Sequence, residues 1–212
     1  MFFQILSDNL KSLLTERLQT ATILQEQFYL AGGTALALHL GHRKSDDLDF
    51  FSEREFDNEP VIQTVMKLGG RIDSESSGTL HTSITGSKVS FLSYPYPLIR
   101  NTVNMGDIRV ASIEDIACMK VIAIAQRAEK KDFFDMYEIL KIYPSSLLRE
   151  MVLQKYGKQR INCYHIVKSF FYFDEAERSL DPVSLKSTTW QHVKDYFMEN
   201  ERELTSGLCH EL

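Results

Sequence analysis

The stretch from Phe28 to Ser52, FYLAGGTALALHLGHRKSDDLDFFS, constrains the fold of this chain more than any other. Phe28 to Leu30 is an apolar run short and aromatic enough for a strand, and Gly32 and Gly33 break it. Thr34 follows as a helix N-cap, so the glycines lie where a strand hands over to a helix. Ala35 to Leu40 predict a short helix with Leu36, Leu38 and Leu40 as its apolar body and Gly41 as its stop. His42, Arg43, Lys44 and Ser45 make a polar loop. In Asp47-Leu48-Asp49-Phe50-Phe51 a period of two sends both carboxylates to one face of a strand while Leu48 and Phe50 point into a core.

That geometry has a chemical reading. Two carboxylates side by side on a strand repel each other unless a cation sits between them, and hard oxygen ligands suit Mg²⁺. A strand-to-helix turn with paired glycines offers unobstructed N–H groups and the positive end of a helix dipole, which suits a phosphate. Either feature alone is commonplace, a tight turn or a solvated strand edge. In this order, separated by a helix-sized segment, they describe a site for a metal-chelated triphosphate. Ser45 either touches a phosphate or bonds within its loop. His42 and Arg43 are the positive charge next to the acids and face either the triphosphate or a polynucleotide acceptor.

Around this stretch the chain changes character twice. Leu6, Leu10, Leu13, Leu14 and Leu18 recur at helical spacing and predict an amphipathic first helix. Pro60 at a first helical position opens a helix with Val61, Ile62, Val65, Met66 and Leu68 as its stripe. Arg71 to Ser76, Thr79 to Thr85 and Lys88 to Ser93, separated at Gly78 and Gly86, predict an antiparallel meander that ends at Tyr94-Pro95-Tyr96-Pro97, whose rings would cover a sheet edge. Asp107 to Ala111 offers a last strand. Ser112-Ile113-Glu114-Asp115 is similar to a capping box and starts a run of helices over about 113–126, 130–141, 145–156, 161–173 and 189–203. The expected division is a sheet-bearing domain over 1–110 and a helical domain over 111–212.

Two charged groups in the helical half stand out. Lys120 sits among Ile116, Ala117, Met119, Val121, Ile122 and Ile124, where an ammonium must either reach water past the helix edge or find an anion. Lys131 and Asp135 have the spacing of a helix-surface ion pair, and Asp132 lies on a different side from Lys130, from which it could face the cleft. Lys155, Lys158, Arg160 and Lys168 read as a solvated basic face, and Phe170 to Phe173 as core.

GGT, a short helix and then HRKSDDLDFF resemble the first motif of the polymerase-β-like nucleotidyltransferase superfamily, in the form carried by the AbiEii/AbiGii-type toxin family. Met119-Lys120, Arg127 and Lys130-Lys131-Asp132-Phe133-Phe134-Asp135 are similar to that family's downstream motifs, and the likeness spans about residues 25 to 140. It implies an α+β fold, a polymerase-β-like palm of mixed or antiparallel sheet with flanking helices, followed by a helical C-terminal region. It also implies a Mg²⁺-dependent transferase of the EC 2.7.7 type that moves an NMP from an NTP to an RNA such as tRNA, or to a protein hydroxyl, as the toxin of a bacterial pair with a cognate antitoxin. On that resemblance Asp47 and Asp49 bind metal, and Gly32, Gly33, Thr34, Arg43, Ser45 and Lys120 meet the nucleotide. Asp132, from the KDFxD segment, either positions Lys120 or assists the attacking group. Many relatives place a third carboxylate on a later strand, where this chain has Ser90. That departure keeps a nucleotide-binding pseudoenzyme acting through a protein partner as the alternative, and a metal-dependent hydrolase as a third.

Composition bounds the rest. A net charge of −5 gives no support to indiscriminate nucleic-acid binding. Cys118, Cys163 and Cys209 are odd in number and without metal-ligand spacing, so they read as thiols in a cytoplasmic protein. His39, His81, His165, His192 and His210 have no metal-ligand spacing either and read as structural. No secretory leader is expected in MFFQILSDNLKSLL, nor a membrane span in the apolar segment interrupted by Lys120.

Overall fold

The computed structural model describes residues 1–209, so His210 lies outside the described residues. Two compact units emerge: Met1–Gly41 with Ser45–Ser112, and His42–Lys44 with the chain from Ile113 onward. No helix among the described residues is long and apolar enough to cross a membrane.

The first unit carries strands β1 (Tyr29–Ala31), β2 (Asp47–Ser52), β3 (Gly70–Ser76), β4 (Thr79–Ile84), β5 (Ser87–Ser93), β6 (Val103–Met105) and β7 (Ile108–Val110). They form one sheet in the order β3-β4-β5-β2-β1-β7-β6. Pairing is antiparallel except for β2 with β5 and β1 with β7, so the sheet is mixed. The meander follows from its turns: Gly78 and the Thr85-Gly86 pair have positive φ, as tight hairpin connections require. β6 is a strand that the sequence reading leaves out. Alternation along the strands gives the sheet one apolar face, built from Leu30, Leu48, Phe50, Leu80, Val89, Phe91 and Val110, all buried.

Helices α1 (Asp8–Ser12), α2 (Thr22–Gln27), α3 (Gly32–Leu40) and α4 (Asn58–Lys67) complete this unit. Helical turns of wider and tighter pitch continue α1 through Thr20, and Leu6, Leu10, Leu13, Leu14 and Leu18 are all buried, as their spacing predicts. In α4 the cap is Asp57, which accepts from the Glu59 N–H, so the helix begins before Pro60. Its buried stripe narrows to Val61 and Val65, and Met66 is 58% exposed. Tyr94 packs edge-on against Phe51 of an interior strand, so it covers mid-sheet and not an edge.

The second unit is helical: α5 (Ile113–Gln126), α6 (Lys130–Leu140), α7 (Ser145–Tyr156), α8 (Cys163–Phe170), α9 (Asp174–Glu177), α10 (Trp190–Glu199) and α11 (Glu201–Leu208). Phe133, Phe170, Phe173, Trp190 and Phe197 interlock in mostly edge-on pairs at its centre. Lys155 is not part of a basic surface: it is buried in α7 with its Nζ 2.7 Å from Asp115 Oδ1 of α5. The cysteines also depart from expectation. Cys163 and Cys209 form a disulfide with Cα atoms 5.2 Å apart, because α11 returns alongside α8, while Cys118 is buried outside it.

Candidate active site

Within the first unit the glycine turn and the acidic strand meet. β1 ends at Ala31, whose cross-strand partner is Asp49, and the chain then turns through Gly32 with φ +71°. A Cβ at Gly32 would come within 3.0 Å of Asp49 Oδ2, so the turn needs glycine both for its backbone angle and for the space the carboxylate fills. α3 begins there, Ala31 supplies no side-chain cap, and the positive end of the helix dipole lies at the turn beside Asp49. Gly41 closes the helix in the left-handed conformation, as expected.

Thr34 is not the cap. The helix starts two residues earlier, and from its first turn Thr34 Oγ1 bonds to Ser45 Oγ at 2.7 Å and to the Asp47 carbonyl. Ser45 and Thr34 therefore fix the entry of β2. On β2 the burial pattern runs exposed, buried, half-buried, buried from Asp47 to Phe50, so both carboxylates leave the face opposite Leu48 and Phe50. The parallel register with β5 then sets Lys88 beside Asp47 and Ser90 beside Asp49. Lys88 is exposed on the same face. The period of two in Lys88-Val89-Ser90 marks it as a face-mate of Ser90, but only the long-range register shows that it neighbours Asp47.

Among the described residues no group of three or more His, Cys, Asp or Glu side chains is placed to hold a metal. Asp47 and Asp49 are two hard carboxylates, with Asp49 against the glycine turn. That donor set fits a Mg²⁺ whose remaining ligands come from phosphates and water.

The second unit gathers the other expected residues into a buried cluster. His42 to Lys44 lie along residues 183–185: Lys44 N–H donates to the Val183 carbonyl at 2.9 Å and Leu185 N–H to the His42 carbonyl at 2.8 Å. Arg43 clamps Asp135 with Nε at 2.7 Å and Nη2 at 3.0 Å, and its Nη1 donates to the Lys44 carbonyl. His42 Nε2 is 2.7 Å from the same carboxylate. Lys120, 4% exposed, donates to Asp132 at 2.8 Å and approaches Asp135 at 2.6 Å, so it finds anions and does not reach water. Arg127 completes the set on Asp132. Lys131 turns to Glu129 at 2.9 Å, and the surface pair expected between Lys131 and Asp135 gives way to this network. Asp135 is fully buried at its centre.

Electrostatics follow the geometry. Burial alone raises both carboxylates, yet Arg43, Lys120 and the His42 bond hold Asp135 well below the usual range, and Lys120 with Arg127 lowers Asp132. Burial likewise lowers Lys120 and Arg43, and the two aspartates more than reverse it. All four groups stay charged together.

Comparison with known proteins agrees with the fold and the motifs. The family model for the nucleotidyl transferase AbiEii toxin of type IV toxin–antitoxin systems matches residues 16–107 and 97–205. An uncharacterized protein of Aquifex aeolicus (strain VF5) is 39% identical over 187 residues, covering 83% of this chain and 87% of that one. The crystal structure of JHP933 from Helicobacter pylori shares the fold with a TM-score of 0.53 at 18% identity, covering 94% of each chain. The antibiotic-resistance factor ANT(2'')-Ia does so with a TM-score of 0.51 at 18% identity, over 69% of this chain and 91% of its own. The chain belongs to the nucleotidyl transferase AbiEii toxin family and is a nucleotidyltransferase with an α+β fold.

Proposed function

We propose that this enzyme transfers an NMP from an NTP to a hydroxyl acceptor, an RNA such as tRNA or a protein, as the toxin of a bacterial pair neutralised by a cognate antitoxin in the cytoplasm. The observation that carries the reading is the approach of the Asp49 carboxylate to the Gly32 turn, which joins a hard-cation ligand to a phosphate cradle. ANT(2'')-Ia, with the same fold, has been crystallised with adenylyl-2''-tobramycin, a nucleotide joined to a sugar position.

Asp47 and Asp49 would hold Mg²⁺, which supplies charge neutralisation at the transferring phosphoryl group and at the leaving oxygen. The N–H groups of Gly33 and Thr34 would donate to the terminal phosphates, helped by the dipole of α3. Lys88, beside Asp47, adds a cation to that face. Thr34 and Ser45 keep β2 in register with the turn. Arg43 and Lys120 act through position: with Asp132 and Asp135 they fix the His42–Lys44 segment, which immediately precedes Ser45 in sequence. Lys120 and Asp132 of the helical domain from residue 111 onward would thus serve the reaction as positioning residues, through the ion cluster that holds Arg43.

Label transfer tests this. The chain is incubated with each α-labelled NTP, Mg²⁺ and either total RNA or lysate protein, and labelled acceptor is resolved on gels. Asp47→Ala and Asp49→Ala should abolish transfer and leave the fold intact. Ser90, a hydroxyl beside Asp49, favours a second reading in which the chain binds nucleotide and signals through a protein partner. Nucleotide binding without labelled acceptor would select it, and pyrophosphate release without acceptor would indicate a hydrolase.

A further inference from the structure

On the polar face of the sheet, one row of side chains crosses three strands. Asp49 of β2 is in register with Ser90 of β5, and Ser90 with His81 of β4. Cross-strand partners share a face, so all three stand on the side to which Asp49 points. Adjacent strands lie about 4.8 Å apart. His81 leans back over that gap: its Nδ1 is 3.0 Å from Ser90 Oγ. The imidazole is thus held on β4, two strands from the acid with Ser90 of β5 between them, and it is exposed.

Nucleotidyl transfer to a hydroxyl releases a proton, and something beside the acids must take it. Asp47 and Asp49 are committed to the cation, Lys88 is a donor only, and a serine hydroxyl is a poor base. The row offers one good base. We propose that His81, oriented by Ser90, is the proton acceptor of the transfer reaction, occupying by way of a neighbouring strand the role for which Ser90 itself is unsuited. The proposal rests on the nucleotidyl-transfer reading given above. In the tautomer whose Nδ1–H donates to Ser90 Oγ, Nε2 keeps its lone pair for the acceptor's proton. The acceptor O–H gives its proton to His81 Nε2 as the acceptor oxygen bonds to the α-phosphorus. The bond from that phosphorus to the β-phosphate oxygen breaks, and pyrophosphate departs with the electron pair.

The test compares the unmodified chain, His81→Gln, Ser90→Asp/His81→Gln and Asp49→Ala in single-turnover label transfer, with nucleotide affinity measured separately by calorimetry. His81→Gln should lower the transfer rate about 10²-fold or more with nucleotide affinity unchanged, as loss of a general base does. In the double variant Ser90→Asp should restore much of that loss, because it places a carboxylate base beside Asp49. A merely structural His81 would not respond to a carboxylate one strand away. Transfer by His81→Gln at the unmodified rate, while Asp49→Ala is inactive, overturns this proposal and leaves the transferase reading standing. So does a double variant no faster than His81→Gln with affinity intact. Absence of transfer by the unmodified chain overturns both.

Discussion

Replacing Asp135 by asparagine keeps the shape of the side chain and removes one charge from the middle of the buried cluster. Arg43 Nε and Nη2, at 2.7 and 3.0 Å, Lys120 Nζ at 2.6 Å and His42 Nε2 at 2.7 Å all converge on that carboxylate. The substitution leaves two buried cations facing a neutral amide, and breaking a buried pair from one side costs about 3–5 kcal/mol. Against a total stability of roughly 5–15 kcal/mol this is a large fraction. For a chain of this size each kcal/mol is worth about 2–4 °C, so the melting midpoint of the transition that includes the helical unit should fall by roughly 6–20 °C. Thermal unfolding followed by far-ultraviolet circular dichroism reads it directly. Asp47→Asn is the control: its carboxylate is exposed, so melting should not move while transfer is lost. Arg43→Met combined with Asp135→Asn should cost less than the two single changes added, by about 0.5–3 kcal/mol. Melting of Asp135→Asn with the unmodified chain, or strict additivity with Arg43→Met, would refute the claim that these charges form one unit.

Three further outcomes are expected. Gly32→Ala forces a side chain into the left-handed region and against Asp49, so it should cost about 1–2 kcal/mol or more and weaken NTP binding, whereas Gly33→Ala, whose φ is not positive, should fold normally; equal NTP affinity of Gly32→Ala and the unmodified chain in calorimetry would contradict it. Asp132 and Asp135 have lowered values, so their stabilisation is complete above the unfolded aspartate value near 4 and disappears as pH falls through their folded values; Lys120 is raised, so its share is complete below about 10.4 and disappears as pH rises through its folded value. Denaturant midpoints should therefore fall below about pH 4 as the two aspartates take up protons, and Asp135→Asn should shrink that fall; an equal fall in the variant would contradict the assignment. Lys155→Met removes the ammonium facing the buried Asp115 carboxylate and should cost about 3–5 kcal/mol in urea unfolding, with Asp115→Leu added to it recovering most of the loss; no recovery would mean that the pair does not act as a pair.

What could be read in the sequence was what neighbouring residues decide. Gly32 and Gly41 bracket α3 because a left-handed turn on either side of an apolar helix leaves a local trace. The helices over 113–126 and 145–156 were legible from their periodicity and from the prolines and charges at their ends. Asp47 and Asp49 were assigned a common face because the period of a strand is two, and Asp47 to Phe50 obey it. Thr34 was misjudged because a threonine after two glycines has the same local signature whether it caps a helix or lies inside its first turn. The difference is the distant carbonyl of Asp47 and hydroxyl of Ser45 that claim its oxygen.

The rest depended on contacts between residues far apart in sequence. Periodicity assigns Lys88 and Ser90 to one side of a strand but says nothing about which strand lies beside them; that both stand next to the acids is a property of the parallel β2–β5 register. Arg43 and Asp135 are 92 residues apart, and either alone reads as a surface charge. Yet Lys120, buried in apolar company, already demanded an anion, and that demand has a general form: a lone charge in an apolar helix implies a partner whose position the sequence does not state. His81 reads as structural in the sequence for a related reason. An isolated histidine on an exposed strand has no local claim to chemistry, and it acquires one only when two strand pairings put Ser90 between it and Asp49. A family motif therefore locates Asp47 and Asp49, while the row that joins Ser90 and His81 to them depends on registers that only the folded chain defines.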